Sequence, residues 1–404
     1  MVVSRRLVLS GLCAMGLGAC VGGAAAQGRA SHPWIAVPNE GFAAWLGGMK
    51  GRAAAHGISA SSQGTLMQAG YLPAIIEKSQ YQTEFKRTIE DYLAIATAPE
   101  RVAAGRAEFV RRAALLGQIE AAYGVAPQIV TAIWGLESRY GARMGDAPLI
   151  SGLATLSYAG RRASFFEAQL MAALKILDRG DVTAARMTGS WAGAMGHTQF
   201  IPTTFLAHAV DFTGDGRCDI WGDDPADALA SAAAYLRDAG WQKGALWGLE
   251  VTVPVEARDQ GAKRSVAGWQ ALGARAASGG AVPDFGAAKL HLTGGVGTPS
   301  FLLFRNFNVL LRYNNAFNYG LGVGVLSERI AGGGALRGQF PPDAAGMTLA
   351  ERQQMQRKLA ALGYDVGSPD GVIGDKTRAA IADFERANGM PVTGEPSAAL
   401  LSRL

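Results

Sequence analysis

The stretch "AIWGLESRYGARMGD" (residues 132–146) sets one carboxylate, Glu137, among apolar neighbours and a tryptophan. A helix beginning at Pro127, where a missing N–H costs nothing in the first turn, lines up Ile129, Val130, Ile133, Trp134 and Glu137 at three- and four-residue intervals. Glu137 then extends an apolar stripe. A carboxyl group held against such a face loses hydration, which favours the protonated form and suits a general acid near neutral pH. The same segment also accommodates a rim glutamate paired with Arg139 or Arg143.

The chain has 404 residues, too many for one small core, so more than one domain is expected. Hydrophobic residues make up 49% and charged residues 18%, which describes a globular protein and excludes a disordered one. The net charge of +5 is spread without a long Lys/Arg block, so no nucleic-acid partner is expected. An anionic cell-surface polymer fits such a diffuse excess.

Residues 1–27 run basic, then apolar, then small, the order of an export signal. Arg5-Arg6 resembles a twin-arginine signal, and "LGAC" (17–20) resembles a lipobox whose Cys20 is acylated. Cleavage after Ala24-Ala25-Ala26 is the alternative. The expected location is the periplasm, with anchoring to the outer membrane through a lipidated Cys20. Of three cysteines, Cys13 and Cys20 fall in this segment, which leaves Cys218 without a disulfide partner in the mature chain.

Residues 28–240 read mainly as helices with Gly, Pro and Asp punctuation. Around 244–300 the pattern changes: "LEVTVPVEA" alternates like a strand, and a second strand is expected near "KLHLTGG". Helix resumes from about Phe307 to Ile330. Residues 331–346 are a Gly/Pro linker by composition. In the tail, Leu349, Met355, Leu359 and Leu362 mark one helix, and Ala380, Ile381 and Phe384 mark a second.

The block "GSWAGAMGHTQFIPTTF" (189–205) combines three glycines with aromatic, amide and hydroxyl groups. That composition suits a backbone passing close to a sugar, and equally a tight structural loop. Taken with "IWGLESRYG", "RRASFF", "AVDFTGDGRCDIW" and "LRYNNAFNYGLGVGVLSERI", in this order, it resembles the lytic murein transglycosylase B family over roughly residues 35–330. "FIPTTF" departs from the family's more usual Met-Pro-Ser-Ser wording but keeps the hydroxyls. Residues 347–404 resemble a three-helix peptidoglycan-binding module, on the spacing of Asp370-Gly371, Gly374 and Thr377 before Ala380 and Phe384.

The resemblance implies a mainly α (α+β) fold: a lysozyme-like helical catalytic region over 28–330, a small strand-containing subdomain within it, the linker, and the module at 347–404. It implies non-hydrolytic cleavage of the bond between N-acetylmuramic acid and N-acetylglucosamine, with a 1,6-anhydro end as product. Glu137 matches the catalytic acid-base. Ser190, Gln199, Phe200, Tyr235, Tyr313, Asn314 and Tyr319 match substrate-groove positions, and Arg161 and Arg162 match an arginine pair near the groove. Asp146 and Glu167 are the nearest sequence candidates for the second carboxylate that a water-using glycosidase needs. Catalysis is expected to need no cofactor, the partner is the peptidoglycan glycan strand, and the chain is expected to act as a monomer.

"DFTGDGRCDIWGDDPAD" (211–227) offers oxygens at loop positions one, three and five, from Asp211, Thr213 and Asp215, with Gly216 at the turn and the Arg217 carbonyl at seven. Position twelve is Gly222, so a plain EF-hand is rejected. The family loop closes on a later aspartate, matched best by Asp227, with extra residues around Asp223-Asp224. A structural Ca²⁺ is the expectation here; a hydrated Asp/Gly turn is the alternative. Cys218 follows in an apolar position, which argues for a buried hydrophobe over a redox thiol.

Overall fold

The computed structural model describes residues 34–80 and 87–404; the export segment with Cys13 and Cys20 lies outside the described residues. The described chain divides into two compact units, one of residues 34–80 and 104–243, the other of residues 87–103 and 244–404. Among the described residues no helix is long and apolar enough to cross a membrane.

The first unit is helical. In the helix Glu40–Ala55, Phe42, Leu46, Met49 and Ala53 are buried at three- and four-residue steps, and the Asn39 side chain caps its start by accepting the Phe42 N–H. Phe42 joins Trp45, Tyr71 and Tyr158 in an aromatic cluster with centroids 5.6–6.1 Å apart. Leu149–Ala159 and Ala163–Arg179 pack as neighbouring helices. Strand β1 (Ala147–Pro148) pairs antiparallel with β2 (Thr188–Gly189), which ties the chain after the helix Pro127–Ser138 to the start of the glycine-rich loop.

That helix begins at Pro127 as its sequence predicts, but every residue from Ile129 to Ser138 is buried. The apolar stripe is therefore not the edge of an amphipathic surface helix. It is one side of a helix buried all round, so Glu137 has no solvent rim to snorkel toward.

The second unit holds the sheet: β3 (Gly248–Thr252), β4 (Lys263–Arg264), β5 (Arg275–Ala276), β6 (Ala288–Leu292) and β7 (Ser300–Leu303), antiparallel in the order β4-β6-β7-β3-β5. Its core gathers Val251, Val266, Trp269, Leu290, Leu302 and Phe304, and the Trp269 indole donates to the Ala288 carbonyl at 3.0 Å. The expected continuous helix from Phe307 to Ile330 is two helices, Arg305–Tyr313 and Phe317–Ile330. Asn314 breaks it: its backbone is extended and its side chain accepts the Ala316 N–H at 3.1 Å, offering the chain a local alternative to the helical bond. Ile89–Ala96 packs on Phe317–Ile330, and Arg329 donates to the Thr97 carbonyl at 2.9 Å.

Three helices, Leu349–Ala361, Asp375–Ala387 and Ala398–Arg403, enclose a separate core of Met347, Met355, Leu359, Val366, Ala380, Ile381, Phe384 and Leu400. Leu362, expected on the first of these helices' inner face, instead lies past its end and is 56% exposed. Thr348 and Glu351 form a capping box at its start.

Arg352, only 3% exposed, fastens this module to its surroundings. Its guanidinium donates to Glu90 and Asp343 at 2.8 Å each and to the Gly371 and Met347 carbonyls, with Asp91 3.5 Å away. The linker is held too: Glu250 on β3 accepts the Arg337 and Gly338 N–H groups, and Gln339 N–H donates to the Gly297 carbonyl.

Removing one partner of a buried charge network strands the others, at about 3–5 kcal/mol. Arg352→Leu is expected near the lower end, since Asp343 and Asp91 keep 30% and 26% exposure. Urea unfolding of the two proteins checks this; a loss below about 1 kcal/mol would show that the network contributes nothing beyond an exposed ion pair.

Candidate active site

Glu137 sits one residue before the end of its helix and is 9% exposed. The chain then takes an uncommon path. Arg139 and Tyr140 both have left-handed backbones, with φ of 51° and 58°, a region that costs non-glycine residues about 1 kcal/mol or more each. The turn is held from several sides. Arg143 N–H donates to the Ser138 carbonyl at 2.8 Å, Gly141 N–H donates to Ser138 Oγ at 3.0 Å, and the Tyr140 ring stands edge-on to Trp134 at 5.6 Å. Tyr140 lies directly over Gly135, where any Cβ would fall 2.5 Å from the ring.

The glycine-rich loop packs against this turn. Ser190 and Ala194 close a tight loop through both main-chain N–H···O and Ser190 Oγ contacts, of 2.7 and 3.0 Å. Met195 and Phe200 exchange a pair of main-chain bonds. Gln199, itself left-handed at φ 53°, spends its amide nitrogen on the Met144 and Gly196 carbonyls, so it ties the loop to the segment after Glu137. Phe200 is buried and its ring meets Tyr235 at 6.1 Å; Tyr235 in turn meets His208 at 4.8 Å.

His197 connects three segments. Trp134 Nε1–H donates to its Nδ1 at 3.1 Å, its Nε2 lies 2.7 Å from the Gly222 carbonyl, its N–H donates to the Ile220 carbonyl, and its own carbonyl accepts Ser138 Oγ–H at 2.6 Å.

The loop 211–227 is folded around two aspartates. Asp211 accepts from Thr213 Oγ1 and from the N–H groups of Gly214, Asp215 and Gly216, and Gly216 is left-handed as its position requires. Asp227, 3% exposed, accepts the N–H groups of Phe212 and Thr213 on one oxygen and of Asp219 on the other. Burial pushes the Asp227 carboxyl up, against these three N–H bonds. The opening half thus has the curl that a calcium loop needs, whereas the closing carboxylate is engaged by main-chain donors. Among the described residues no three Asp, Glu, His or Cys side chains gather as a cation cage. Cys218 is buried, and burial raises its thiol to about 11, which makes it a packing residue and no thiolate.

The remaining positions are less concentrated. Arg161 and Arg162 are exposed on the turn before Ala163–Arg179, and Arg162 stacks on Phe165 at 4.1 Å. Tyr313, Asn314 and Tyr319 belong to the second unit, where the two tyrosine rings lie parallel at 6.4 Å. Of the two candidate second carboxylates, Glu167 pairs with Arg52 at 3.0 Å and Asp146 accepts the Trp34 indole N–H at 2.8 Å.

Residues 41–328 match the Transglycosylase SLT domain, and residues 348–404 match a peptidoglycan-binding domain. The chain belongs to the transglycosylase SLT family. It is 34% identical over 216 residues to membrane-bound lytic murein transglycosylase B of Escherichia coli K12, a match covering 52% of this chain and 58% of that protein. It is also similar to the crystal structure of SltB3 from Pseudomonas aeruginosa in complex with NAG-NAM-pentapeptide, at 43% identity and a TM-score of 0.71 over 90% of this chain and 100% of that one. The Escherichia coli lytic transglycosylase Slt35 in complex with calcium matches at 28% identity and a TM-score of 0.61, over 72% and 92% of the two chains.

Within this SLT domain, sequence reasoning passed over Ser138, Tyr140 and His197. The one available signal was Gly135, a glycine inside a helix with no turn to explain it. Its role is to admit the Tyr140 ring. Gly135→Ala forces that ring off Trp134, an overpacking expected to cost about 1–3 kcal/mol. Near-ultraviolet circular dichroism should lose intensity with the stability; unchanged aromatic signal and melting would refute the close fit.

Proposed function

We propose that the chain is a peptidoglycan lytic transglycosylase in which Glu137 serves first as acid and then as base. The observation that carries this reading is a single carboxyl group on a fully buried helix end, framed by the glycine-rich loop, while Asp146 and Glu167 are engaged elsewhere. SltB3, similar over nine-tenths of this chain, has also been crystallised with NAG-anhNAM-pentapeptide, which carries the product end that this chemistry makes.

One acid suffices because the sugar supplies the other groups. Glu137 protonates the glycosidic oxygen as the C1–O bond breaks, and the muramic acid's 2-acetamido carbonyl oxygen supports positive charge at C1. The Glu137 carboxylate then takes the C6 hydroxyl proton while O6 bonds to C1. The proton returns to Glu137, and no water is consumed. Both attacks are intramolecular, and well-oriented reactions of that kind reach effective molarities of about 10⁵ M or more. Ser190, Gln199, Phe200 and Tyr235 are the substrate contacts of the first unit in this reading; within the second unit, Tyr313, Asn314 and Tyr319 are proposed as sugar contacts, Asn314 through an acetamido group. Arg161 and Arg162 meet anionic parts of the strand. Export by residues 1–27 puts the enzyme in the periplasm with its substrate.

Glu137→Gln is expected to lower turnover on murein by about 10³-fold with melting nearly unchanged. Wild-type products should be one water lighter than reducing-end fragments by mass spectrometry. Reducing ends, or an active Glu137→Gln protein, would sink the reading.

We also propose that the loop 211–227 takes a structural calcium ion through Asp211, Thr213, Asp215 and the Arg217 carbonyl, with Asp227 exchanging an N–H contact for the ion. The calcium complex of Slt35 supports this. Added calcium should raise the melting temperature, and Asp215→Asn should abolish the rise. Melting indifferent to both calcium and a chelator would show a loop closed by N–H donors alone.

A further inference from the structure

We infer that His197 is a positioning residue for Glu137: a neutral imidazole, protonated on Nε2, that locks the end of the catalytic helix to the Ile220–Gly222 segment. This rests on the reading of Glu137 as the acid-base.

The tautomer follows from the partners. An indole N–H is only a donor and a main-chain carbonyl only an acceptor. Trp134 Nε1 lies 3.1 Å from Nδ1, so Nδ1 accepts; the Gly222 carbonyl lies 2.7 Å from Nε2, so Nε2 carries the proton. The main chain of the same residue adds the Ile220 carbonyl and Ser138 Oγ, at 3.0 and 2.6 Å. All four polar groups of His197 are thus committed, two to each side. Trp134 and Ser138 stand three residues before and one residue after Glu137, so the contacts grip the helix on both flanks of the acid. The imidazole is wedged in place: the residue is 5% exposed, it meets the Trp134 ring at 5.7 Å, and a Cβ on Gly141 would fall 2.5 Å from its Cε1.

A second proton would turn Nδ1 into a donor facing the indole donor, so the imidazolium form cannot keep the Trp134 bond. The charged groups around the ring are Arg112, which also stacks on Trp134 at 5.6 Å, and Asp219 and Asp223. Burial lowers the His197 pKa, Arg112 lowers it further, and the Gly222 carbonyl and the two aspartates oppose them. With a folded pKa below the unfolded one, the neutral lock is intact above the unfolded value and is lost as pH falls through the folded value.

The test uses the full chain, soluble glycan strands and two variants. His197→Phe keeps the ring's bulk and removes both side-chain bonds; His197→Gln keeps an acceptor and a donor. His197→Phe should lower kcat about 10–100-fold, the scale of a misplaced catalytic group, with KM within about twofold. His197→Gln should recover most of kcat and lack the acid-side loss of rate expected of the wild type. Nitrogen NMR of histidine-labelled wild type should report the Nε2–H form. An Nδ1–H tautomer, wild-type kcat in His197→Phe, or a His197→Gln protein as impaired as His197→Phe would overturn the inference. Should His197→Phe fail to fold, the NMR tautomer and the His197→Gln profile still decide. An active Glu137→Gln protein overturns the reading beneath it; an inactive one beside a fully active His197→Phe overturns the role of His197 alone.

Discussion

A carboxyl group near the end of a helix with no solvent-facing side can be aimed only by the backbone that follows it. Here that backbone is the left-handed pair Arg139 and Tyr140. Two such residues cost about 2 kcal/mol between them, and the turn survives because its surroundings over-determine it. Ser138 Oγ is bonded on both sides, to Gly141 N–H and to the His197 carbonyl, and Tyr140 is pinned edge-on to Trp134 above Gly135. Net contributions of about 1 kcal/mol per hydrogen bond and per ring pair offset the strain. The helix end is therefore a rigid mount, as the proposed acid-base role of Glu137 would require.

The same constraint explains why so many polar groups are buried nearby without forming a charge cluster. Buried His197, Asp227 and Asp181, and half-buried Gln199, each spend side-chain atoms on main-chain groups: carbonyls for His197 and Gln199, N–H groups for the aspartates, with Asp181 taking the Cys218 N–H at 3.0 Å. Irregular loops have no ladder of their own, and buried main-chain groups must be paired. Side chains take the place of the missing strands. The chain from the loop 211–227 through Ile220–Gly222 and His197 to Trp134 is thus continuous in hydrogen bonds, and a cation in that loop would act on the site through geometry.

Much of this was legible in the sequence. The start of the Glu137 helix at Pro127, the strands near 248–252 and 288–292, the inert Cys218 and two of the tail's helices all follow from local signals: a fixed proline φ, alternation, an apolar flank, helical spacing; the third tail helix comes only from the resemblance. The misreadings share a cause. Glu137 looks like the edge of a stripe because Thr131, Gly135 and Ser138 look polar or neutral on paper; in the fold they are buried because Thr131 and Ser138 hydroxyls find carbonyls and Gly135 receives a ring. Asn314 breaks a helix through one side-chain bond that a periodicity argument does not see. His197 carried no signal at all, since its four bonds reach partners up to 63 residues away.

The linker and the module carry a different lesson. By composition, residues 331–346 suit a flexible tether, and a tether raises local concentration by an amount set by its length. The chain instead spends Glu250 on two of the segment's N–H groups and buries the Arg352 guanidinium against Glu90 and Asp343. A guanidinium loses much hydration when it is 97% covered, so such a contact persists only where its donors are nearly all matched. They are matched here by two carboxylates and two carbonyls. The module is then a fixed part of the unit containing Ile89–Ala96. Gly338 and Asp343 of the linker are themselves part of that hold, and loss of the one guanidinium would weaken it.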